Sequence, residues 1–193
     1  MAYLALGLLL AFGVLCLGLR SWMHVRQTGA SPFLGGTING VVALIGFVGP
    51  FALAIAADLR HAVPRLLFVH PTWAVLGTAL AVAGIVVTLW SQLAMGASWR
   101  IGIDNDEHTA LVTTGPYERV RNPIYTGMFA FDVGTALVLP NAFSLAGAAL
   151  VVAVISVVVR RVEEPYLLKE HGLAFVQWKG TTGRFLPRLS PAA

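Results

Sequence analysis

Charge is scarce in this sequence. Only 11% of its 193 residues are Asp, Glu, Lys or Arg, against 57% hydrophobic, where soluble domains carry roughly 25% charged residues. Mean hydropathy is +0.77. A water-soluble globule is thereby excluded, and the length suits a single integral membrane domain, 1–193. Cys16 is the sole cysteine. No disulfide can close within the chain, and a thiol inside an apolar run reads as a small hydrophobe. Lysine is confined to Lys169 and Lys179, so Schiff-base chemistry has little to work with. There is no HxxxH, HxxE or cysteine pair to hold a metal. A glycine-rich phosphate loop and a GxSxG elbow are also missing. The net charge of +4 could suggest nucleic acid, but the basic residues lie in loops, where they set membrane orientation. The N-terminus has no basic region ahead of its first apolar run, so a cleaved signal peptide is not expected.

What is present is a series of apolar runs near the ~20 residues a bilayer requires. The expected spans are Ala2 to Leu19, Gly36 to Ala57 (with Asn39 and a tolerated Pro50), Thr72 to Met95, Pro123 to Leu139 and Ala142 to Val159. The expected fold is an all-α polytopic membrane bundle of about five transmembrane helices with a C-terminal cytoplasmic helical segment. Residues 1–97 hold three spans and 98–193 hold the motif region, a helical hairpin and the tail. Arg20, His24 and Arg26 fall in the first loop. Arg60, His61, Arg65, His70 and the greasy Leu66-Leu67-Phe68-Val69 fall in the second. Trp73 and Trp99 read as belt residues at headgroup level. Pro140-Asn141 reads as a tight helical hairpin. Eleven of the thirteen Lys and Arg residues lie on one side, all but Arg60 and Arg65. The positive-inside bias therefore places the N-terminus outside and the motif loop and tail in the cytoplasm of a cell-membrane protein.

Two polar stretches stand out. The first is HTALVTTGPYERVRNPIYTG, His108 to Gly127. Gly115-Pro116 favours a turn. Asn122-Pro123 reads as an N-cap followed by proline at the first helical position, with the helix's positive end facing the loop. The second is Arg160-Arg161-Val162-Glu163-Glu164, which on its own reads equally as snorkelling arginines and a solvated acidic pair. The antiparallel hairpin between them brings the start of its first helix beside the end of its second, so Tyr125 and Glu163 should be close. Asp132, mid-span, must face the bundle interior or a wet cavity; Tyr125, Met128, Phe129 and Asp132 share one helical face. A structural hydrogen bond to another helix is the plain alternative. Such groups can hold a zwitterionic or cationic cofactor and, through arginine, a carboxylate.

These residues resemble isoprenylcysteine carboxyl methyltransferases, their prokaryotic relatives and the related phospholipid methyltransferases. The family pattern is H-x-LVT-x-G-x-Y-x-x-x-RHP-x-Y-x-G and, after a hairpin, R-x-EE-x-x-L-x-x-x-x-G. Here the halves read HTALVTTGPYERVRNPIYTG and RRVEEPYLLKEHGLAFVQW, preceded by Ser98-Trp99-Arg100-Ile101-Gly102 as in the prokaryotic branch. The resemblance implies S-adenosylmethionine in a pocket closed by the motif loop and the tail, and a lipophilic or prenylated acceptor entering from the bilayer. It implies cofactor contacts from His108, Leu111, Val112, Tyr117, Arg121, Asn122, Pro123, Ile124, Tyr125 and Glu163. Arg160 or Arg161, with Glu164, falls on the catalytic, acceptor-holding side. Asn122 stands where the family carries histidine, and an amide cannot accept a proton near neutral pH. Carboxyl O-methylation is the first expectation. N-methylation of a lipid headgroup, an NADPH-dependent sterol-type reductase and a non-catalytic scaffold are the alternatives; no metal and no nucleic acid are expected.

Overall fold

The computed structural model describes residues 1–33, 36–62, 70–101 and 110–188, with side chains left aside at 36–46. His108, Arg65 and the Leu66–Val69 run lie outside the described residues, as does the side chain of Asn39. The described chain is helical throughout apart from loops: α1 Ala2–Thr28, α2 Gly36–Leu59, α3 Pro71–Met95, α4 Pro123–Val138, α5 Ala142–Val158 and α6 Glu164–Thr181. Among the described residues, three helices are long and apolar enough to cross a bilayer: Ala2–Thr28, Pro71–Ser98 and Ala142–Thr181. Phe47–Leu59 and Pro123–Val138 are shorter apolar stretches. The bundle is thus all-α and multi-span. The 16-residue α4 extends roughly 24 Å at 1.5 Å per residue, short of the ~30 Å hydrocarbon layer.

The expected first loop is not a loop. A π-helical stretch, Gly13–Leu19, carries α1 onward through Arg20–Thr28, and the helix stops only where Gly29 turns left-handed at φ 73°. Arg20 and His24 continue as helical residues because they are buried rather than solvated. Trp99 also departs from expectation. It is buried beneath the Arg20 guanidinium, 4.6 Å from the ring centroid, whereas Trp73 is exposed as a belt residue should be. Cys16 is buried, with its Sγ directed at the Ile85 carbonyl, 3.7 Å away.

The tightest packing joins α3 and α4. Small residues Gly77, Ala81, Gly84 and Thr88 line one side; Gly127, Phe131 and Gly134 line the other. Backbones meet so closely that a Cβ on Gly84 would sit 2.5 Å from the Phe131 amide nitrogen, and one on Gly134 would sit 2.4 Å from the Ala81 nitrogen. Association through small residues is the usual route to helix contact in lipid, where apolar bulk gives no preference for protein over solvent. Phe131 also anchors a ring cluster, 4.6 Å from Phe12 and within 6.4 Å of Phe47 and Phe51. The α4–α5 hairpin closes as expected at Pro140-Asn141. Asn141 and Ser144 form a capping box, and Asn141 Nδ2 donates to the Ala54 carbonyl of α2 at 3.1 Å.

Asp132 is fully buried, as its position required, but among the described residues neither carboxylate oxygen has a hydrogen-bond partner. Three outcomes follow. Gly134→Val should destabilise by about 3 kcal/mol, the upper end for overpacking against backbone. Gly180→Ala, with open space around its Cβ position, should leave the detergent-solubilised melting temperature unchanged. Asp132→Asn should also leave the melt unchanged or raise it, since no partner is lost; a paired acid would lose several kcal/mol on the same change.

Candidate active site

The site begins where α5 leaves its apolar stretch. A π-helical turn, Val159–Glu163, joins α5 to α6. Such wide turns rotate the side chains that follow, and they recur at functional sites. Here they send two adjacent glutamates to different neighbours. Glu163 turns toward α4, where the Tyr125 hydroxyl donates to its Oε1 at 2.5 Å. The expected meeting of these residues, 38 positions apart, is present. Tyr125 engages one of the two carboxylate oxygens.

Glu164 turns toward the tail instead and is buried. Arg184 grips it with Nε at 2.8 Å and Nη2 at 2.9 Å, a bidentate fork. Arg121 Nη2 reaches it at 3.3 Å and Lys179 Nζ at 3.4 Å. Burial alone would raise this carboxyl. The hydrogen bond and charge of Arg184, with Lys179 and Arg121, outweigh burial and hold it at about 2, below the ordinary 4.5. For Arg121, burial lowers the guanidinium and the Glu164 contact opposes that.

The motif loop and tail are bound along their backbones. Val120 and Gly183 form a parallel bridge. The Arg121 amide donates to the Gly183 carbonyl at 2.8 Å, Asn122 to Arg184 at 3.1 Å, and Gly183 to Arg119 at 3.2 Å. Arg121 Nη1 also donates to the carbonyls of Thr182 and Lys179, and Thr126 Oγ1 to that of Phe185 at 2.6 Å. The Phe129 and Phe185 rings meet edge-on at 5.1 Å. Asn122 occupies the N-cap position of α4, with Pro123 next, but its side chain makes no cap bond. Its Nδ2 donates to the Arg184 carbonyl at 3.1 Å, so the tail has drawn off the group expected to cap the helix.

Tyr117 is buried on a short 3-10 turn, Gly115–Glu118. Its hydroxyl donates to the Ser91 carbonyl of α3 at 3.3 Å, and its own carbonyl accepts from Trp178 Nε1 at 3.0 Å. Burial, then the negative charge of Glu163, raises its phenol. Pro123 is buried and the Ile124 carbonyl accepts from Thr88 Oγ1 at 3.4 Å. Leu111 and Val112 are half-buried in the extended approach to this turn, while Arg160 and Arg161 are exposed at the π-turn. Sequence reasoning did not find Arg184, Trp178, Thr126 or Ser91. The tail has no periodic signal, and Ser91 acts through its backbone carbonyl.

Because the carboxyl of Glu164 lies lower in the folded protein than in an unfolded chain, its contribution is present above pH about 4.5 and lost as pH falls toward 2. Amide exchange at Arg121, Asn122 and Gly183 should accelerate over that window. Glu164→Gln should produce the same release, at least about tenfold, at neutral pH.

Comparison with known proteins adds the family. The phospholipid methyltransferase family profile matches residues 72–174. Protein-S-isoprenylcysteine O-methyltransferase B of Arabidopsis thaliana is 27% identical over 135 residues, covering 66% of this chain and 68% of that protein. Form A from the same plant is 25% identical over 138 residues, covering 68% and 70%. Protein-S-isoprenylcysteine O-methyltransferase of Xenopus laevis is 35% identical over 80 residues, 39% of this chain and only 27% of that protein. The matched region runs from α3 through the motif loop and the paired glutamates into α6, more than half the sequence, so the chain belongs to the phospholipid methyltransferase family.

Proposed function

We propose that this protein is an S-adenosylmethionine-dependent methyltransferase that O-methylates the carboxyl group of a lipophilic, isoprenylcysteine-like acceptor drawn from the bilayer. The observation that carries the reading is the Tyr125–Glu163 hydrogen bond at the rim of the bundle, beside buried Tyr117. Family membership and the O-methyltransferase relatives support it. The residues present suit the cofactor: Glu163 has an oxygen that Tyr125 does not use, for hydroxyl or ammonium donors. Tyr117, Pro123 and Ile124 belong to the same motif stretch as Tyr125, with Leu111 and Val112 before them; His108, also assigned to the cofactor, lies outside the described residues. When bound, S-adenosylmethionine supplies an electrophilic methyl on a sulfonium, and transfer then depends mainly on alignment and exclusion of water.

In this reading Tyr125 orients the Glu163 carboxylate, and Arg160 or Arg161 holds the acceptor's carboxylate as a bidentate guanidinium. Arg121, Asn122 and Glu164 serve the site as positioning residues, because each binds the tail that covers the motif loop. The positive-inside count puts this face in the cytoplasm, where the soluble cofactor is available. A second reading, N-methylation of a lipid amine, draws on the family's phospholipid methyltransferase description.

Calorimetric titration of the detergent-solubilised protein with S-adenosylhomocysteine should give saturable binding. Glu163→Gln should weaken it at least about tenfold, or ~1.4 kcal/mol; a change under about twofold removes Glu163 from the cofactor site. Methyl-labelled S-adenosylmethionine, offered with a farnesylcysteine analogue or with phosphatidylethanolamine, separates the two readings. The first predicts base-labile methyl ester on the farnesylcysteine. Arg160→Ala or Arg161→Ala should reduce that product while leaving S-adenosylhomocysteine affinity intact.

A further inference from the structure

A second polar cluster lies apart from this site, at the far end of α1. The last turns of α1 bring Arg20, Ser21 and His24 against the C-terminal end of α3. Arg20 is 1% exposed, His24 4% and Gln92 4%. Arg20 Nε donates to the Gln92 carbonyl at 3.3 Å and Nη2 to that of Gly96 at 2.5 Å. Its guanidinium lies over Trp99, and the His24 ring meets the same indole edge-on with centroids 6.0 Å apart. The Ile101 amide bonds the Pro32 carbonyl at 2.7 Å and closes one side.

Two arms of Arg20 are satisfied, but Nη1 is not. Among the described residues it is buried without a hydrogen-bond partner, as are Ser21 Oγ, His24 Nδ1 and Gln92 Oε1. Arg100, which has a partner of its own, lies close enough for its charge to act on His24. Among the described residues no carboxylate is bonded to Arg20 or His24. Buried positive charge with orphaned donors is costly unless an anion completes it. The same turns of α1 locate that anion's source. Trp22 is 55% exposed with the Arg26 guanidinium 4.7 Å over its ring, and Leu19 and Val25 are exposed beside it. An exposed indole capped by arginine, flanked by lipid-facing aliphatics, marks headgroup depth.

We propose that Arg20, Ser21 and His24 form a binding site for the oxyanion, phosphate or carboxylate, of a bilayer lipid headgroup. Arg20 Nη1 and His24 Nδ1 donate to it and Ser21 Oγ completes the set, while Trp99 backs the guanidinium. The site is separate from the Tyr125–Glu163 pair, although Gln92 and Ser91 are neighbours on α3, and it does not rest on the methyl-transfer reading.

The test is lipid retention by the whole delipidated protein in neutral detergent, read by native mass spectrometry and thermal shift. Phosphatidylglycerol should be retained at least about tenfold over phosphatidylcholine. His24→Phe combined with Ser21→Ala keeps a ring against Trp99 and should cut that preference to about twofold or less. Arg20→Gln should do the same, and because Arg20 also bonds the end of α3, the His24 and Ser21 variant carries the test should Arg20→Gln fail to fold. Equal retention of the two lipids overturns the proposal, as does an undiminished preference in the folded variant. Inorganic phosphate that protects as well as phosphatidylglycerol at equal concentration overturns the lipid source.

Discussion

The close approach of α3 and α4 is the constraint from which the rest follows. With Gly84 and Gly134 against opposing backbone, the two helices have one register. That register sets Thr88 beside the Ile124 carbonyl and Ser91 beneath the Tyr117 hydroxyl. The motif loop is therefore pinned at both its turn and its helix start by backbone groups of a neighbouring helix. A wider helix pair would leave Tyr117 without its acceptor, and a buried phenol without an acceptor costs about 1–3 kcal/mol.

From that base the α4–α5 hairpin determines what can meet. Its antiparallel return brings the π-turn beside Tyr125, and the turn divides the labour of two consecutive carboxylates. One takes a single hydrogen bond from a tyrosine. The other is saturated by Arg184, Arg121 and Lys179. A saturated carboxylate is a poor choice for chemistry and a good fastener. The tail it fastens then lies across Arg119–Thr126 by backbone pairing. Adjacent carboxylates thus sit in different electrostatic environments, one beside a phenol and one among three cations.

Much of this was legible in the residues themselves. The apolar runs, the hairpin at Pro140-Asn141, the interior position of Asp132 and the meeting of Tyr125 with Glu163 all follow from helical periodicity and antiparallel topology. What was not legible has a common physical origin. Arg20 and His24 read as loop residues because charge after an apolar run usually signals solvent. Here the neighbouring helix end supplies carbonyls and an indole, so the helix continues with those side chains inside. Asn122 read as a cap because Asn-Pro is a strong local signal, yet a tail some sixty residues away offered its amide a carbonyl. Trp99 read as a belt residue because it follows a span, and an arginine from another helix covers it. Local pattern loses wherever a distant backbone carbonyl competes for a side-chain donor.

The family match ends at residue 174, before Trp178, Thr182, Gly183, Arg184 and Phe185, and it begins after α1. The segments on either side of that region frame it. At one end the tail binds the motif loop; at the other, α1 places buried cations against the terminus of α3. Both contacts use the same device, a guanidinium donating to main-chain carbonyls at or just past a helix end, where carbonyls are short of intrahelical partners. Arg121 does it with the carbonyls of Lys179 and Thr182, and Arg20 with those of Gln92 and Gly96. The difference lies in the balance of charge. Arg121 has Glu164 opposite it, so its cluster is complete as it stands. Among the described residues Arg20 meets carbonyls and an indole but no carboxylate, so its cluster lacks the counter-charge that Glu164 gives Arg121.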